Sequence, residues 1–568
     1  MSFFTHSLAH CYSQKKIITI LPENNLKSCN KCCSKIHVSK ATESTDSLAN
    51  IFLDCIRSKG YISASIDSIQ TKKDSVTLFY FVGINYTWKD LIISDDPLNL
   101  LSGSLLKTNN FIGKQVNYKK FTEVKRKIIS VYENSGYPFV RINSDSLKTG
   151  PGFISIKSKV IKGEYITFDS LEITGARKIS DKYLEHYLGI FPGKPYNEKK
   201  LVSIPRKIKE LPFLKEAKPS EIFFIEKTAH VRLYLKDKKS NQFNGILGLL
   251  PDAANAGKFI LTGDVSLNLT NSFKHGEQID FTWKKLESSS QNLFVSAQWP
   301  YLFNLPLGVN ASLKLFKKDS TFLNVNTHLG LPFFLNGSNT LGLYYEKGSS
   351  TLFSSTNLSS STTLPAISGF TSHVFGISLF YSALDYKFNP RKGFVVKFQA
   401  GYGKKTIDKH PEINPALYEN VVLSSFRNEL TTDVVGYIPV YKNFILKLRG
   451  QLGYINSRNM VKNELYRIGG LSTLRGFDEE NIYASVYGIG STELRYLFEE
   501  NSALFLFYDQ AEYKDFEKNT DSPLGFGVGI EFQTGAGIFT LSYAMGKQLN
   551  NPIEFRNARI HFGFVNRF

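Results

Sequence analysis

The sequence predicts a membrane β-barrel of about 16 antiparallel strands, preceded by tandem small α/β domains. Three observations support this fold class. The hydrophobic pattern changes near residue 241 from a mixture of helical and strand periods to strict alternation. Aromatic residues make up 14% of the chain and Met is only 3, a composition that favours β-structure. No apolar run approaches the roughly 18 to 20 residues that a membrane-spanning helix needs, so a membrane-embedded chain of this kind crosses with strands.

The chain has 568 residues and a net charge of +19, and most of the basic excess lies in residues 1–240. A basic surface there would face anionic lipid head groups or simply keep small domains soluble, and the charge leaves both interpretations open. Nucleic-acid binding is set aside because no zinc-finger spacing, basic zipper or RNP-like aromatic strand is present. The sequence also lacks GxSxG, HExxH and P-loop motifs, so we expect no enzyme activity and no cofactor.

All five cysteines lie in the first tenth of the chain. They are Cys11, Cys29, Cys32, Cys33 and Cys55. The CxxC at 29–32 has no second CxxC or HxxxH to complete a tetrahedral zinc site, so we expect no metal. A remainder without cysteine suits an extracytoplasmic protein, which avoids stray disulfides. Residues 1–10 do not show the pattern of a secretory signal peptide, so the export signal that this location requires is not legible.

The first half of the chain contains a repeat of about 75 residues, which indicates tandem domains. Each copy reads as a strand, a helical part and two further strands, and SKGYISASI and NSGYPFVRI are the visible similarity. In the third copy the helical part consists of two segments, 179–188 and 197–211. The predicted domains are residues 15–83, 84–163 and 164–238, after an unassigned N-terminus at residues 1–14. The first copy is expected to open with a strand at 17–21. A helix that ends at Gly-Tyr and returns as a paired strand explains those Gly-Tyr pairs on structural grounds alone.

Residues 241–568 alternate apolar and polar side chains in the way that half-buried strands do. Over residues 524–533, Leu, Phe, Val, Ile and Phe fall on one face, and Gly, Gly, Gly, Glu and Gln on the other. Alternation also fits a soluble sandwich, but about 16 segments of about 9 to 13 residues fit tilted membrane strands better. The segments are 241–249, 258–270, 277–286, 290–299, 307–316, 321–333, 339–349, 371–382, 393–405, 420–432, 442–456, 486–497, 502–512, 524–534, 536–547 and 557–568. The longest irregular stretches are 350–370 and the loop 457–485.

A short motif in the loop 457–485 and two acidic residues on the strands after it carry a family resemblance. The residues are Leu474, Arg475, Gly476, Phe477, Glu493 and Asp509. They resemble the BamA/TamA-type outer-membrane assembly and translocation family, and the three α/β domains resemble its POTRA domains. In that family the loop tip folds back into the barrel lumen, where its arginine meets carboxylates on the two following strands. The resemblance therefore implies that Arg475 pairs with both carboxylates, that Gly476 permits a tight turn and that Phe477 packs beside it.

Two further segments are similar to the same family. Residues 385–393 look like its turn from Asp to Pro-x-x-Gly, which starts a strand. The last predicted strand ends in an aromatic carboxy-terminus and includes Phe564 and Phe568, which resembles the assembly signal of bacterial outer-membrane barrels. The seam between the first strand (about 241–249) and the last (558–568) is the predicted place where a client strand pairs. Gly563 either kinks the last strand and weakens this seam, or is a small lumen residue beside a bulky neighbour.

The resemblance implies an outer-membrane insertase or translocase that assembles barrel proteins or secretes client polypeptides through the lateral seam, without covalent chemistry. Three POTRA-like domains before a barrel of about 16 strands are most similar to TamA-like members. The alternatives are a two-partner-type secretion transporter and a passive porin-like barrel. The expected partners are unfolded outer-membrane or secreted clients, outer-membrane lipid, and a periplasmic or lipoprotein partner that binds POTRA-like domains in the periplasm. No nucleic acid is expected among them.

Overall fold

The computed structural model of the protein describes residues 9–13, 16–22, 45–72, 75–94, 111–175, 179–251, 259–285, 290–353, 363–386, 389–534, 538–548, 553 and 558–567. The chain divides into two compact units. One comprises Met1–Asp169, Pro192–Leu201 and Phe224–Ala229, and the other comprises Ser170–Phe191, Val202–Phe223 and His230–Phe568. Within the described ranges, no helix combines the length and the apolar character that crossing a membrane requires.

The most N-terminal sheet has the order β1-β2-β4-β3. Its elements are β1 (Ala9–Ser13), β2 (Lys16–Pro22), α1 (Thr45–Arg57), β3 (Ser65–Lys72) and β4 (Ser75–Phe81). β2 is the expected opening strand and pairs in parallel with β4. β1 lies within the stretch that the sequence leaves unassigned, because a five-residue segment becomes a strand only through its antiparallel pairing with β2. Cys55 on α1 is disulfide-bonded, whereas Cys29, Cys32 and Cys33 lie outside the described residues.

The next α/β segment follows the predicted order of elements. It contains β5 (Thr87–Ser94), α2 (Tyr118–Glu133), β6 (Arg141–Gly150) and β7 (Phe153–Ile161), with the sheet order β5-β7-β6. The Asn117 side chain caps α2 by accepting a hydrogen bond from the Lys120 amide at 3.1 Å. The Gly-Tyr pair after the helix has Gly136 at φ +99°, a conformation that glycine adopts without strain. That geometry agrees with the structural explanation of the Gly-Tyr repeat.

A third α/β segment precedes the barrel. Its elements are β8 (Thr167–Thr174), α3 (Asp181–Leu188), α4 (Glu198–Val202), α5 (Ile204–Glu210), β9 (Leu214–Ile225) and β10 (Thr228–Asp237), and its sheet has the order β8-β10-β9. The sequence predicts one helix over 197–211, but the structure has two. The break falls at Ser203, just before Pro205, because proline has no backbone N–H to donate and clashes with the preceding turn.

The remainder of the described chain forms a closed antiparallel barrel of 17 strands. The strands are β11 (Gln242–Pro251), β12 (Phe259–Thr270), β13 (Gln278–Lys285), β14 (Gln291–Trp299), β15 (Val309–Lys318), β16 (Phe322–Asn336), β17 (Asn339–Leu352), β18 (Gly369–Ser382), β19 (Gly393–Asp408), β20 (Ser424–Tyr441), β21 (Phe444–Ser457), β24 (Val486–Glu499), β25 (Ser502–Lys514), β26 (Thr520–Asp521), β27 (Leu524–Gln533), β28 (Ile538–Lys547) and β29 (Arg559–Arg567). β26 has two residues and pairs with the end of β25. The other strands correspond in order to the predicted segments.

The barrel has an apolar outer face and a polar inner face. On β25, Leu504, Leu506 and Tyr508 are exposed on the outside, while Asp509 on the inside is fully buried. A soluble sandwich would place the apolar face inward, so this arrangement identifies a membrane barrel. β20 continues to Tyr441, beyond the predicted end at residue 432, because its outward apolar alternation continues through Val434 and Ile438.

The connection between β21 and β24, residues 458–485, is here called the long loop. It contains a 3₁₀ turn at Lys462–Glu464 and a small hairpin of β22 (Tyr466–Ile468) and β23 (Ile482–Ala484). Leu474 is fully buried in an apolar cluster that joins this loop to Ile489 on β24 and to Ala511 on β25. The long loop is therefore an ordered part of the barrel interior.

Candidate functional site

Arg475 of the long loop binds two carboxylates inside the barrel. Its Nε and Nη2 donate to the two carboxylate oxygens of Asp509 at 2.8 and 2.6 Å, and its Nη1 donates to Glu493 at 2.9 Å. The Arg475 backbone amide also donates to Asp509, at 3.2 Å. Asp509 is 0% exposed and Glu493 is 3% exposed. The structure thus brings together the three residues that the resemblance paired, in a bidentate geometry that suits a guanidinium.

The sheet register explains why the two carboxylates meet one arginine. Glu493 on β24 is paired with Phe507 on β25, so Asp509 lies two residues along β25 and points to the same inner face. The Phe507 ring lies under the guanidinium, with Arg475 Cζ 3.7 Å from the ring centroid. This cation–π contact covers one face of the guanidinium, whose hydrogen bonds lie in its plane. The aromatic floor is a part of the site that the sequence analysis did not identify.

Glu493 links the loop arginine to a wider network on the lumen wall. It accepts hydrogen bonds from Arg495 at 2.6 Å and from Lys447 at 3.4 Å. Arg495 in turn donates to Glu531 at 2.9 Å and to the Asn389 side chain at 3.2 Å. Asn389 belongs to the turn at 385–393 that resembled the family's Asp to Pro-x-x-Gly turn. Buried charges of both signs therefore alternate across the wall, which offsets the cost of removing each from water.

Gly476 has a role beyond permitting a turn. Its φ is +91°, and a Cβ there would lie 2.7 Å from the Met545 backbone on β28. The opposing strands use glycine in the same way, because a Cβ at Gly525 would lie 1.9 Å from the Arg475 carbonyl oxygen. A Cβ at Gly546 would lie 2.9 Å from the Phe477 ring. Glycines on both sides thus let the loop backbone lie directly against β27 and β28.

A second buried cluster anchors the base of the long loop, and the sequence analysis missed it. The Glu464 side chain is fully buried and accepts hydrogen bonds from Lys405 on β19, from Arg427 on β20 at 2.8 Å and from the Val461 amide at 2.8 Å. Lys405 Nζ also donates to the Asn459 carbonyl oxygen at 3.0 Å. The only sequence signal was the presence of charged residues on the predicted inner face of two strands. That signal does not identify partners that are 59 and 37 residues apart.

Asn463, beside Glu464, fixes the loop base to other strands. Its side-chain amide donates to Ser350 Oγ on β17 at 2.6 Å and to the Ser368 carbonyl oxygen at 2.9 Å. Its backbone carbonyl oxygen accepts a hydrogen bond from the Asn324 side chain on β16 at 2.6 Å. The base of the loop is therefore held by β16, β17, β19 and β20, while its tip is held by β24 and β25. The loop crosses the lumen between these walls.

The barrel closes weakly where its first and last strands meet. In the described residues, β11 and β29 pair at two positions, Gln242 with Arg567 and Phe243 with Asn566. By contrast, β11 pairs with β12 at ten positions and β28 pairs with β29 at seven. Within the part of the chain that the structure describes, residues 560–565 of β29 therefore pair with β28 on one edge and not with β11 on the other. An unpaired edge presents backbone donors and acceptors to another strand.

The predicted seam residues lie on β29 or just beyond it. Gly563 pairs with Thr540 in a β28–β29 register that has no irregularity. A Cβ at Gly563 would meet Thr540 and Leu471 only at ordinary contact distance, 3.6 and 3.7 Å. The strand is therefore unkinked there, and Leu471 is the bulky lumen neighbour of the second interpretation. Phe564 pairs with Phe539 in the same register, and Phe568 lies outside the described residues.

The described residues contain no group of three or more His, Cys, Asp or Glu side chains that could hold a metal ion. The inner charges of the loop cluster and the backbone of the β29 edge are groups that can bind a polypeptide segment.

Comparison with known proteins gives a consistent result. Residues 271–568 match the Omp85 superfamily domain. Two solved structures share the fold: CdiB from Acinetobacter baumannii (TM-score 0.54, 13% identity) and CdiB from Escherichia coli (TM-score 0.52, 14% identity), each covering 85% of this chain and 90% of the other. BamA from Haemophilus ducreyi lacking POTRA domains 1–3 aligns over 85% of this chain and 100% of its own, with 15% identity and a TM-score of 0.43. A comparison with curated proteins finds no match.

The matched domain spans more than half of the chain and includes the long loop, the two carboxylates and the last strand. It contains the inner charge network and β29, whereas β11, the other strand of the seam, lies before its first residue. The chain therefore belongs to the Omp85 superfamily, whose members are outer-membrane barrel proteins that handle client polypeptides by insertion or secretion.

Proposed function

We propose that the protein inserts barrel proteins into the outer membrane by pairing a client strand with the free edge of β29. The observation that carries this proposal is the seam, where β11 and β29 pair at two positions of the described residues. Residues 560–565 keep their pairing with β28 and offer their other edge. Main-chain hydrogen bonds along such an edge are the basis of strand addition, and they require no particular client sequence.

The lumen supports insertion at the seam over passive permeation. The long loop is held at both walls by buried ion pairs, through Arg475 at its tip and Glu464 at its base. A passive pore would instead need an open aqueous lumen. The three α/β segments before the barrel are the arrangement associated with TamA-like members, and we include that subtype in the proposal. In this arrangement the segments lie in the periplasm and receive clients or a partner protein at their sheet edges.

The test is insertion of a denatured client barrel into liposomes that contain the protein. The key variant is Asn244→Cys/Val565→Cys. Its two cysteines occupy the positions that would pair next after Phe243 and Asn566 in the observed register, so that a disulfide between them locks the seam. The matched control is Asn244→Cys/Ser266→Cys, which shares one substitution and links positions already paired in β11 and β12. Both variants are assayed oxidised and reduced, so that the native cysteines affect them equally.

We expect the wild type to accelerate insertion, the oxidised seam lock to abolish the acceleration, and reduction to restore it. The oxidised control should behave like the wild type. A wild type that leaves insertion at the rate of empty liposomes would exclude the insertase, and transport of an unfolded polypeptide into the liposomes would then identify a secretion transporter. A seam lock that accelerates insertion as well as the wild type would exclude the seam as the working site.

A further inference from the structure

The inner side of β29 contacts the long loop where its edge toward β11 is free. Residues 559, 561 and 563 alternate onto the lumen face of β29, and each lies against the loop. Arg559 contacts Asp478, His561 contacts Gly476, and Gly563 faces Leu471 across 3.7 Å from the position of a Cβ. Three successive inward positions of the last strand therefore rest on one segment of the loop, residues 471–478. His561 and Gly563 belong to the stretch of β29, residues 560–565, that does not pair with β11 in the described residues.

Two of these contacts are directional. Arg559 Nε and Nη2 donate to the two carboxylate oxygens of Asp478 at 2.7 and 3.2 Å. This bidentate geometry fixes the orientation of the guanidinium as well as its distance. The Gly476 amide donates to His561 Nε2 at 3.2 Å. Because Nε2 accepts this hydrogen bond, the imidazole is the neutral tautomer with its proton on Nδ1. Together the two contacts fix the position and the rotation of β29 about its own axis.

The loop segment 471–478 is itself held by other strands, so its contacts can fix the position of β29. Gly476 follows Arg475 directly, and Arg475 is bound to β24 and β25 through Glu493 and Asp509. The loop backbone also lies in close contact with β27 and β28, where Gly525 and Gly546 leave room for it. A short path of contacts thus runs from β24 and β25, through Arg475 and Gly476, to His561.

We infer that Asp478, Gly476 and His561, with Arg559, are positioning residues that hold the free edge of β29 in the orientation in which it accepts a client strand. The inference rests on the proposed function. A strand inside an intact sheet is held in place by a neighbouring strand on each side. For β29 we assign part of this role to the long loop, in place of pairing with β11. An isolated partly exposed ion pair contributes little to stability. The Asp478–Arg559 pair is expected to matter more because it holds β29, which does not pair with β11 along residues 560–565 in the described structure.

The experiment measures hydrogen exchange in peptides covering residues 558–568 together with client insertion, in full-length protein in liposomes. Asp478→Asn removes the carboxylate charge, and the exchanged pair Asp478→Arg/Arg559→Asp restores it in reverse. His561→Leu removes the acceptor for the Gly476 amide, whereas His561→Gln keeps a side-chain acceptor. The matched control is Glu172→Gln, which breaks an ion pair with Arg232 of the same 2.7 Å length and of comparable exposure outside the barrel.

We expect about two- to fivefold faster exchange in residues 558–568 for Asp478→Asn and for His561→Leu, together with slower client insertion. The exchanged pair and His561→Gln should restore both readouts toward the wild type, and peptides covering 486–514 should exchange at the wild-type rate in every variant. Glu172→Gln should change neither readout.

Unchanged exchange at residues 558–568 in both single variants would overturn the inference, even if the wild type inserts clients. Faster exchange throughout the barrel would also overturn it, because the contacts would then serve general stability. If the exchange results follow the expectation while the wild type fails to accelerate insertion, the positioning of β29 stands and the proposed insertase fails. The two hypotheses are thereby separated.

Discussion

Replacing Arg475 with alanine tests whether the loop tip is held by buried charge. All three hydrogen bonds that Asp509 accepts in the described structure come from Arg475, two from the guanidinium and one from the backbone amide. Arg475→Ala leaves that fully buried carboxylate with the amide alone, whereas Glu493 keeps Arg495 and Lys447. Removing one partner of a buried pair costs about 3 to 5 kcal/mol, mostly as the penalty of the uncompensated charge.

The free energy of unfolding in lipid vesicles, measured by urea titration with heat-modifiable gel mobility, gives the expected effect directly. With a urea m-value of about 2 to 3 kcal/mol/M, the midpoint should fall by about 1 to 2.5 M. Arg475→Ala/Asp509→Asn should recover a large part of the loss, because the second change removes the stranded charge. Arg449→Ala is the matched control: it breaks a similar two-pronged pair with Asp433 that is about a quarter exposed, and should cost about 1 kcal/mol.

Two results would refute this reasoning. One is an Arg475→Ala protein that unfolds within about 1 kcal/mol of the wild type, which would mean that water or another group solvates Asp509 in its place. The other is a double variant as unstable as Arg475→Ala, which would attribute the loss to missing packing on Phe507 and not to the buried charge.

Three further predictions concern the loop base, the loop tip and the segment before the barrel. Glu464→Gln should cost about 3 to 5 kcal/mol, because it leaves the buried Lys405 ammonium without its carboxylate, while Arg427 keeps Glu429. It should also raise ion conductance in planar bilayers, because the base of the long loop is then held less firmly. Wild-type conductance and an unchanged urea midpoint would contradict this prediction. Gly476→Ala should lower the free energy of unfolding by about 1 to 3 kcal/mol, because of the positive φ at this position and its close contact with β28. The control is Gly436→Ala, where an added Cβ meets open space. It should cost less than about 1 kcal/mol in the same titration. Lys207→Met removes the ammonium that donates to the Tyr187 and Leu188 carbonyl oxygens at the end of α3. We therefore expect hydrogen exchange in residues 181–190 to be about tenfold faster. Unchanged exchange there would show that these carbonyl oxygens find other donors.

Most barrel strands were predictable because each one carries its own evidence. A strand between lipid and a wet lumen must alternate apolar and polar residues, and this alternation is visible within about ten residues. Where the structure departs from the prediction, the local pattern was weak. β1 depends on its hairpin partner, and the extension of β20 continues past Pro439, a residue that usually ends a strand and is accommodated here at a register shift.

The loop tip was predictable by resemblance, and the loop base was not. Arg475, Glu493 and Asp509 stand in a recognisable motif and come together as expected. Glu464 and Lys405 belong to no motif, and their inward orientation does not say which of the many inward charges each one meets. The pairing is decided by the path of the loop across the lumen, which depends on packing along its whole length.

The seam shows the same division. The sequence predicted which strands meet there, because the first and last strands of any closed barrel must adjoin. It left the number of paired positions undetermined, and it left two interpretations of Gly563 open. The structure favours the lumen interpretation, because β29 passes through Gly563 in register with β28.

The sequence by itself determined the class of fold, the two faces of each strand and the identity of the loop motif. The fold class and the two faces follow from short-range periodicity, which a linear chain displays in full, and the loop motif follows from its resemblance to a known family. Only the tertiary structure decided which buried charges pair, how far β11 and β29 are joined and which loop residues touch the last strand. Those contacts join residues that are 34, 59 and 81 positions apart. Their meeting is set by closure of the whole sheet and by the packing of the loop within it, which no local pattern encodes.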